Sequence, residues 1–104
     1  MKIQINTDHN IEGTAEFANW VTSVVEDALE RCRDHVTRVE VHIRDENGDK
    51  GGQDDKRCMM EARLEGRQPT AVTHQAATLE LAVEGAVKKL EHSLRSTLER
   101  LQDH

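Results

Sequence analysis

Histidine and cysteine are the residue types in this 104-residue chain best suited to bind a metal ion or to act as nucleophiles. The six histidines are His9, His35, His42, His74, His92 and His104. No two of them have the paired spacing of a zinc site, and the sequence contains no Cys-x-x-Cys motif. Cys32 and Cys58 each fall on an apolar side of a predicted element, where a thiol behaves as a small hydrophobic side chain. We therefore expect no metal site and no catalytic cysteine.

An acidic, glycine-rich loop is the second feature of the sequence that could bind a metal ion. Asp45, Asn47 and Asp49 alternate as the first ligands of an EF-hand calcium loop do. However, Lys50 stands where that loop needs glycine, and Lys56 stands where it needs a bidentate glutamate. The loop is predicted to be a solvated hairpin connection. The sequence also lacks a glycine-rich phosphate loop and a nucleophile elbow, so we expect neither an enzyme nor a cofactor.

The net charge of −6 argues against a general nucleic-acid-binding protein, which is usually basic, and no DNA partner is expected. Most of this charge lies in one loop, because residues 45–55 hold five acidic residues against a single lysine. Basic groups elsewhere therefore remain available for a partner. Outward-facing cations are expected on the predicted sheet: Arg38, Arg44, Arg57 and Arg63, with His42 and the nearby Arg67. Glu40, Glu61 and Glu65 are interleaved with them, and cross-strand ion pairs are the favoured interpretation over an RNA-binding patch.

The length and composition predict one domain, residues 1–104, with a single modest core. Only Phe17 and Trp20 are aromatic, so aliphatic residues must fill that core. No apolar run is long enough to cross a bilayer, and two unpaired cysteines suit a reducing compartment. We expect a cytoplasmic protein that does not enter a membrane.

Alternating apolar residues predict four strands, and two longer segments have helical periodicity. The first helix is predicted from Ala15 to about Asp34, with Thr14 as its N-cap and an apolar stripe through these residues: Phe17, Trp20 or Val21, Val24, Ala28 and Cys32. The last helix has its own apolar stripe: Leu79, Val83, Val87, Leu90, Leu94, Leu98 and Leu101. This stripe is expected to be core, and a coiled-coil seam is the alternative, for which fewer than four heptads are present.

The resulting order, β-α-β-β-β-α, predicts an α+β fold of two layers, with both helices packed on one face of a four-stranded sheet. Three consecutive strands with short loops indicate an antiparallel meander. The first strand and helix form a crossover that can return parallel to the sheet.

This order and the closing segment AVEGAVKKLEHSLRSTLERL resemble the ribosome hibernation-promoting factors and ribosome-associated inhibitors, also called sigma-54 modulation proteins. The likeness extends over essentially the whole chain. In the last helix, Ala82-Val83, Val87, Lys89-Leu90 and Leu94 stand at places that match the family pattern. The likeness is to the short form, which has no C-terminal dimerisation domain. The sequence leaves the oligomeric state open, with a monomer as one candidate.

The resemblance implies a cytoplasmic, non-enzymatic factor that binds the small ribosomal subunit between head and body when growth slows. The residues it implies as rRNA contacts are Lys88, Lys89, Arg95 and Arg100 on the last helix, and Arg44 at a commonly basic strand position. The chain departs from the family where alternating lysines are usual, because His92, Ser96 and Leu98 stand there. A second hypothesis is therefore a protein-interaction module that kept the fold and lost rRNA binding.

Overall fold

The computed structural model describes residues 1–8, 11, 14–46 and 55–102. Its elements follow the predicted order β-α-β-β-β-α. In chain order they are β1 (Lys2–Thr7), α1 (Ala15–Ala28), β2 (Val36–Asp45), β3 (Lys56–Leu64), β4 (Thr70–Ala76) and α2 (Leu79–Gln102). A short 3₁₀ turn, Glu30–Cys32, follows α1.

The four strands form one sheet in the order β1-β2-β3-β4. β1 pairs with β2 in parallel, because α1 carries the chain back across the sheet between them. β2, β3 and β4 pair in antiparallel fashion, which confirms the predicted meander. In this topology the β3–β4 turn and the C-terminal end of α2 come to the same end of the sheet, and the end of β2 and the start of β3 lie at the other.

One face of the sheet is apolar and both helices cover it. Val39 and Val41 of β2 are buried, as are Cys58 and Met60 of β3. The same hydrophobic cluster includes side chains from both helices: Val21 and Val25 of α1, and Val83, Val87, Leu90 and Leu94 of α2. The prediction of two layers is therefore confirmed, and the stripe of α2 is core and not a coiled-coil seam.

The first helix is shorter than the periodicity predicted. It begins after the expected cap, where the backbone N–H of Phe17 donates to Oγ1 of Thr14 at 3.1 Å, but ends at Ala28 instead of near Asp34. The tighter 3₁₀ turn then carries Cys32 into the core. An apolar residue one helical turn beyond the end of a helix satisfies the same periodic pattern whether the backbone is α or 3₁₀. The pattern therefore did not reveal where the helix stops.

The buried side of α1 agrees with the predicted stripe only in part, because the alternative Val21 is buried in place of Trp20. Val21, Val25 and Leu29 are fully buried, whereas Phe17 and Val24 are only half-buried. Phe17 stacks on Trp20 with ring centroids 6.0 Å apart, at the margin of the core. The compact side chains at four-residue spacing lie closest to the sheet, and the large rings flank them.

The last helix departs from prediction at its end. Leu90 and Leu94 are fully buried, but Leu101 is 41% exposed and lies beyond the core. Near its start, Gly85 allows α2 to lie close to β4, since a Cβ atom at that position would overlap the ring of His74. His74 is half-buried, as expected for the inward side of β4.

Candidate nucleic-acid interface

The four cations predicted as contacts on α2 are all exposed, but they point in different directions: Lys88, Lys89, Arg95 and Arg100. Lys88 and Arg95 are seven residues apart and so lie on nearly the same line along the outward side of the helix. Lys89 and Arg100 are turned towards β4 and the β3–β4 turn, as their contacts show. The helix therefore presents an outward pair and two lateral cations.

Lys89 is engaged within the fold. Its Nζ donates to the backbone oxygen of Thr73 at 2.8 Å. Thr73 belongs to β4, an edge strand of the sheet. In the described sheet, the outer edge of β4 is not paired with another strand. The Lys89 amine therefore provides a hydrogen bond to a backbone carbonyl of this edge strand. Lys89 fastens α2 to the sheet as well as contributing positive charge at the surface.

The outward side of α2 carries both signs of charge. Nε of Arg95 lies 3.5 Å from Oε1 of Glu91, and its Nη2 lies 3.4 Å from Nδ1 of His92. No ion pair within residues 14–46 and 55–102 involves Lys88. Glu84 and Glu99 lie within one turn of this pair, so with Glu91 the outward side has three carboxylates against two cations and no net positive charge.

Arg100 lies at a cleft between the end of α2 and the β3–β4 turn. The cleft has a volume of about 760 Å³ and is also lined by Arg63 and Arg67. The sequence placed Arg63 and Arg67 with the sheet cations and Arg100 with the helix. Only the topology brings them to one concave surface, because the antiparallel meander returns the turn to the end of the sheet where α2 stops.

Arg44 lies apart from the other predicted contacts. It is exposed on the sheet face opposite to the helices, beside His42, Arg57 and Met59. The five predicted contact residues therefore do not form one continuous surface.

The expectation of cross-strand ion pairs on the outer sheet face is wrong. The register sets Arg44 opposite Arg57, and the neighbouring pairs are Glu40 with Glu61 and Arg38 with Arg63. Like charges that face each other directly across two strands repel. Two ion pairs form on this face among the described residues. Arg38 pairs with Glu40 of the same strand at 2.5 Å, and Arg57 of β3 pairs with Glu46, the residue after the end of β2, at 3.7 Å.

The end of the sheet near the acidic loop is organised around a lysine. Nζ of Lys56 lies 3.1 Å from a carboxylate oxygen of Asp55 and 3.1 Å from one of Asp45. Asp55 is buried, and its hydrogen bond with Lys56 is the main cause that raises the pKa of that amine. In the calcium-loop pattern, Asn47, Asp49 and Lys50 lie outside the described residues. Among the described residues, no group of three or more His, Cys, Asp or Glu side chains is placed to hold a metal ion.

Both cysteines are buried and unpaired, as their apolar positions predicted. Burial raises the pKa of the Cys58 thiol to about 12 and also raises that of Cys32. A thiol held in its protonated form is a poor nucleophile and a poor metal ligand. No helix in the described ranges is long and apolar enough to cross a membrane.

Comparison with known proteins gives a consistent result. The model of a family described as "Sigma 54 modulation protein / S30EA ribosomal protein" matches residues 3–102. No curated protein matches the chain in sequence. The fold is similar to the crystal structure of the Thermus thermophilus Protein Y N-terminal domain, with 21% identity and a TM-score of 0.76 over 93% of this chain and 99% of that one. It is also similar to a ribosomal subunit interface protein from Coxiella burnetii, with 17% identity and a TM-score of 0.70 over 95% of this chain and 99% of that one.

Proposed function

Because the chain belongs to the sigma 54 modulation protein / S30EA ribosomal protein family, a family of ribosome-associated factors, we propose that it binds the small ribosomal subunit and regulates translation under stress. The family match over residues 3–102 is the observation that carries this proposal. The protein acts by occupying a binding surface in the cytoplasm, as a hibernation factor does, and not by catalysis.

The contact residues in this proposal are the exposed cations of α2: Lys88, Lys89, Arg95 and Arg100. Each cation that neutralises an rRNA phosphate releases counterions, which favours association and makes it sensitive to salt. Arg44 lies on the opposite face of the sheet and makes a separate contact. The rRNA therefore meets this protein at more than one place.

The experiment that tests this function is sedimentation of cell lysate at low salt, with immunodetection of the protein across the gradient. Lysates from growing and from stationary cells are compared. We expect the protein to move with the small subunit or with whole ribosomes, and the retained fraction to fall as salt is raised. A protein that stays in the soluble fractions under every growth condition would disprove the proposal.

Charge reversal on α2 tests the contact surface. Lys88→Glu removes a cation that has no ion pair within the described residues, so it changes the surface without breaking a bond of the fold. Lys89→Glu should also weaken association, although it removes the hydrogen bond to Thr73 as well. Arg33→Glu, an exposed charge reversal on the turn after α1, is the matched control and should leave sedimentation unchanged.

A protein-interaction module that lost rRNA binding is the second candidate. The observation that favours it is the charge of the helices, because Arg95 is paired with Glu91 and the exposed side of α1 ends in Glu26 and Asp27. Passing the protein over immobilised RNA and over whole lysate separates the two. Tight binding to RNA that is lost with salt would exclude the module.

A further inference from the structure

The cleft between the β3–β4 turn and the end of α2 has an unusual charge for this protein. Three arginines, Arg63, Arg67 and Arg100, line it, and none of the lining residues is acidic. The protein as a whole has a net charge of −6. Within the described residues, none of the three guanidinium groups takes part in an ion pair.

Two other surface depressions mix their charges. The one beside Lys2 and Arg38 contains Glu40 and Glu61, and Arg63 borders it as well as the cleft. The one beneath Arg95 contains Glu91 and Glu99. Arg57, on the outer sheet face, is engaged by Glu46. The cleft differs because no acidic residue lines it. Within the described residues, an external anion therefore meets no carboxylate that is ion-paired with Arg67 or Arg100.

The fold holds the walls of the cleft in place. The backbone N–H of Glu65 donates to the oxygen of His35 at 2.9 Å, and that of Arg67 donates to the oxygen of Leu64 at 3.0 Å. Gly66 has φ of +75°, a conformation that side-chain-bearing residues rarely adopt, and it lets the turn reverse sharply. These contacts fix the backbone that presents Arg67.

The opposite wall is also positioned. Nη2 of Arg100 donates to Oγ1 of Thr97 at 3.3 Å. The Thr97 hydroxyl in turn donates to the backbone oxygen of Ser93 at 3.0 Å, so its orientation is set by the helix. This chain of hydrogen bonds holds the Arg100 guanidinium beside the cleft. Because the side chain is already ordered, binding a ligand costs less conformational entropy than it would for a freely rotating arginine.

We propose that this cleft binds phosphate groups of an RNA backbone, held by Arg63, Arg67 and Arg100. A planar guanidinium offers paired N–H donors that match two oxygens of a phosphate, and three such groups around one concavity suit a polyanion that turns past it. The choice of RNA over an acidic protein rests on the proposed ribosome-binding function. The site adds a contact that lies at one end of the molecule, away from Lys88 and Arg44.

The test is a titration of the ¹⁵N-labelled full chain with a short single-stranded oligoribonucleotide, followed by amide chemical shifts. Signals of residues 66–68 and of Thr97 should shift together and saturate. Arg67→Glu should weaken binding about tenfold, since it replaces a charge-assisted contact by a repulsive one. Arg67→Lys, which keeps the charge but not the fork of donors, should fall between that variant and the wild type. Arg33→Glu, outside the cleft, should change affinity less than about twofold.

Two competing ligands complete the experiment. Inorganic phosphate should bind much more weakly than the RNA, and a glutamate oligopeptide of equal charge should not shift the cleft signals. Equal binding by inorganic phosphate would reduce the cleft to a general anion site, and equal binding by the peptide would favour an acidic protein partner; either result overturns the proposal. It also falls if Arg67→Glu binds RNA as tightly as the wild type.

The outcome is separable from the proposed function. If wild-type protein never sediments with ribosomes but the RNA titration succeeds, the ribosomal role fails and the phosphate site stands. If the protein sediments with the small subunit while the cleft signals remain unshifted by RNA, the ribosomal role stands and the phosphate site fails.

Discussion

The two sides of α2 are governed by different forces. The side facing the sheet consists of compact apolar residues that are buried: Val83, Val87, Leu90 and Leu94. The side facing water mixes cations and anions: Glu84, Lys88, Glu91, His92, Arg95 and Glu99. Burial of the apolar side determines how α2 packs on the sheet, and the charged side remains accessible to a binding partner.

The buried and exposed sides of α2 differ in how many side-chain arrangements have nearly the same free energy. Burying an aliphatic side chain contributes about 1.5–3 kcal/mol, and only one rotation of the helix buries all four. An exposed ion pair contributes about 0–1 kcal/mol, so several arrangements compete. Three ion pairs at four-residue spacing are available on the exposed side, and the structure forms the one between Glu91 and Arg95. The pattern of charges therefore predicts the exposed surface poorly.

The largest expected effect is on the buried side. Leu90→Ala removes a fully buried side chain and should lower the free energy of unfolding by about 2–5 kcal/mol. Leu101→Ala is the matched control, because Leu101 is on the same helix but 41% exposed, and it should change stability by less than about 0.5 kcal/mol. Urea unfolding of the two variants measures both. An unchanged midpoint for Leu90→Ala would mean that α2 does not cover the sheet.

Gly85 lies between the buried and the exposed side of α2, and substituting it tests how closely the helix approaches β4. An added Cβ would overlap the His74 ring, and such overpacking costs about 1–3 kcal/mol. Alanine also favours a helix over glycine by about 1 kcal/mol, so Gly85→Ala should destabilise by up to about 2 kcal/mol net.

The control for this prediction is the same substitution in a His74→Ala background. With the ring absent, Gly85→Ala should stabilise the protein, because only the helix propensity remains. A coupling free energy near zero between the two positions in thermal unfolding would show that the close approach of α2 to β4 at Gly85 is not real.

Sequence periodicity predicts those parts of the fold where burial has a single solution. The alternation of β2 and β3 placed Val39, Val41, Cys58 and Met60 inward, and all four are buried. The periodicity was only partly right for α1, where two neighbouring stripes are apolar: Val21 is buried as one predicted alternative, but Phe17 and Val24 are only half-buried. The chosen stripe contained Phe17, which is larger than Val25 but stacks with Trp20 at the margin and leaves the close contact to smaller side chains.

The candidate sites were less predictable, because their residues are distant in sequence. Alternation correctly placed Arg44 on the outer sheet face, but the resemblance grouped it with α2 on the other side of the sheet. Arg67 and Arg100 are brought together only by the topology. The pairing of Arg44 with Arg57 depends on the strand register, which the acidic connection between β2 and β3 does not fix from its sequence.

The sheet surface beneath α2 should make stability sensitive to alkaline pH. Burial raises the pKa of Cys58 to about 12 from an ordinary value of 9.0, so the folded state keeps the thiol protonated where the unfolded chain loses its proton. The stabilisation is complete below pH 9 and is lost as pH rises towards 12, by about 1.4 kcal/mol per pH unit. Lys56, whose pKa is also raised, contributes in the same direction.

Cys58→Ala isolates the thiol contribution in this pH series. Its stability at neutral pH is lower because a cavity remains, so the comparison is made on the slope of unfolding free energy against pH. The variant should show a shallower decline between pH 9 and pH 10.5 than the wild type. Equal slopes would mean that Cys58 is reached by water in the folded state.

The smallest effect on stability is expected on the exposed side of α2, where the effect on binding is instead measurable. Arg95→Ala removes the ion pair with Glu91 and should lower the free energy of unfolding by no more than about 0.5 kcal/mol. Glu91→Gln breaks the same ion pair from the other side, so the two variants should have similar urea midpoints. They should differ in sedimentation with the small subunit, because Arg95→Ala loses a phosphate contact and Glu91→Gln loses a repulsive charge. Weakened association in both variants would mean that the ion pair shapes the helix surface. Weakened association in Arg95→Ala alone would mean that the exposed side of α2 contacts rRNA through its cations.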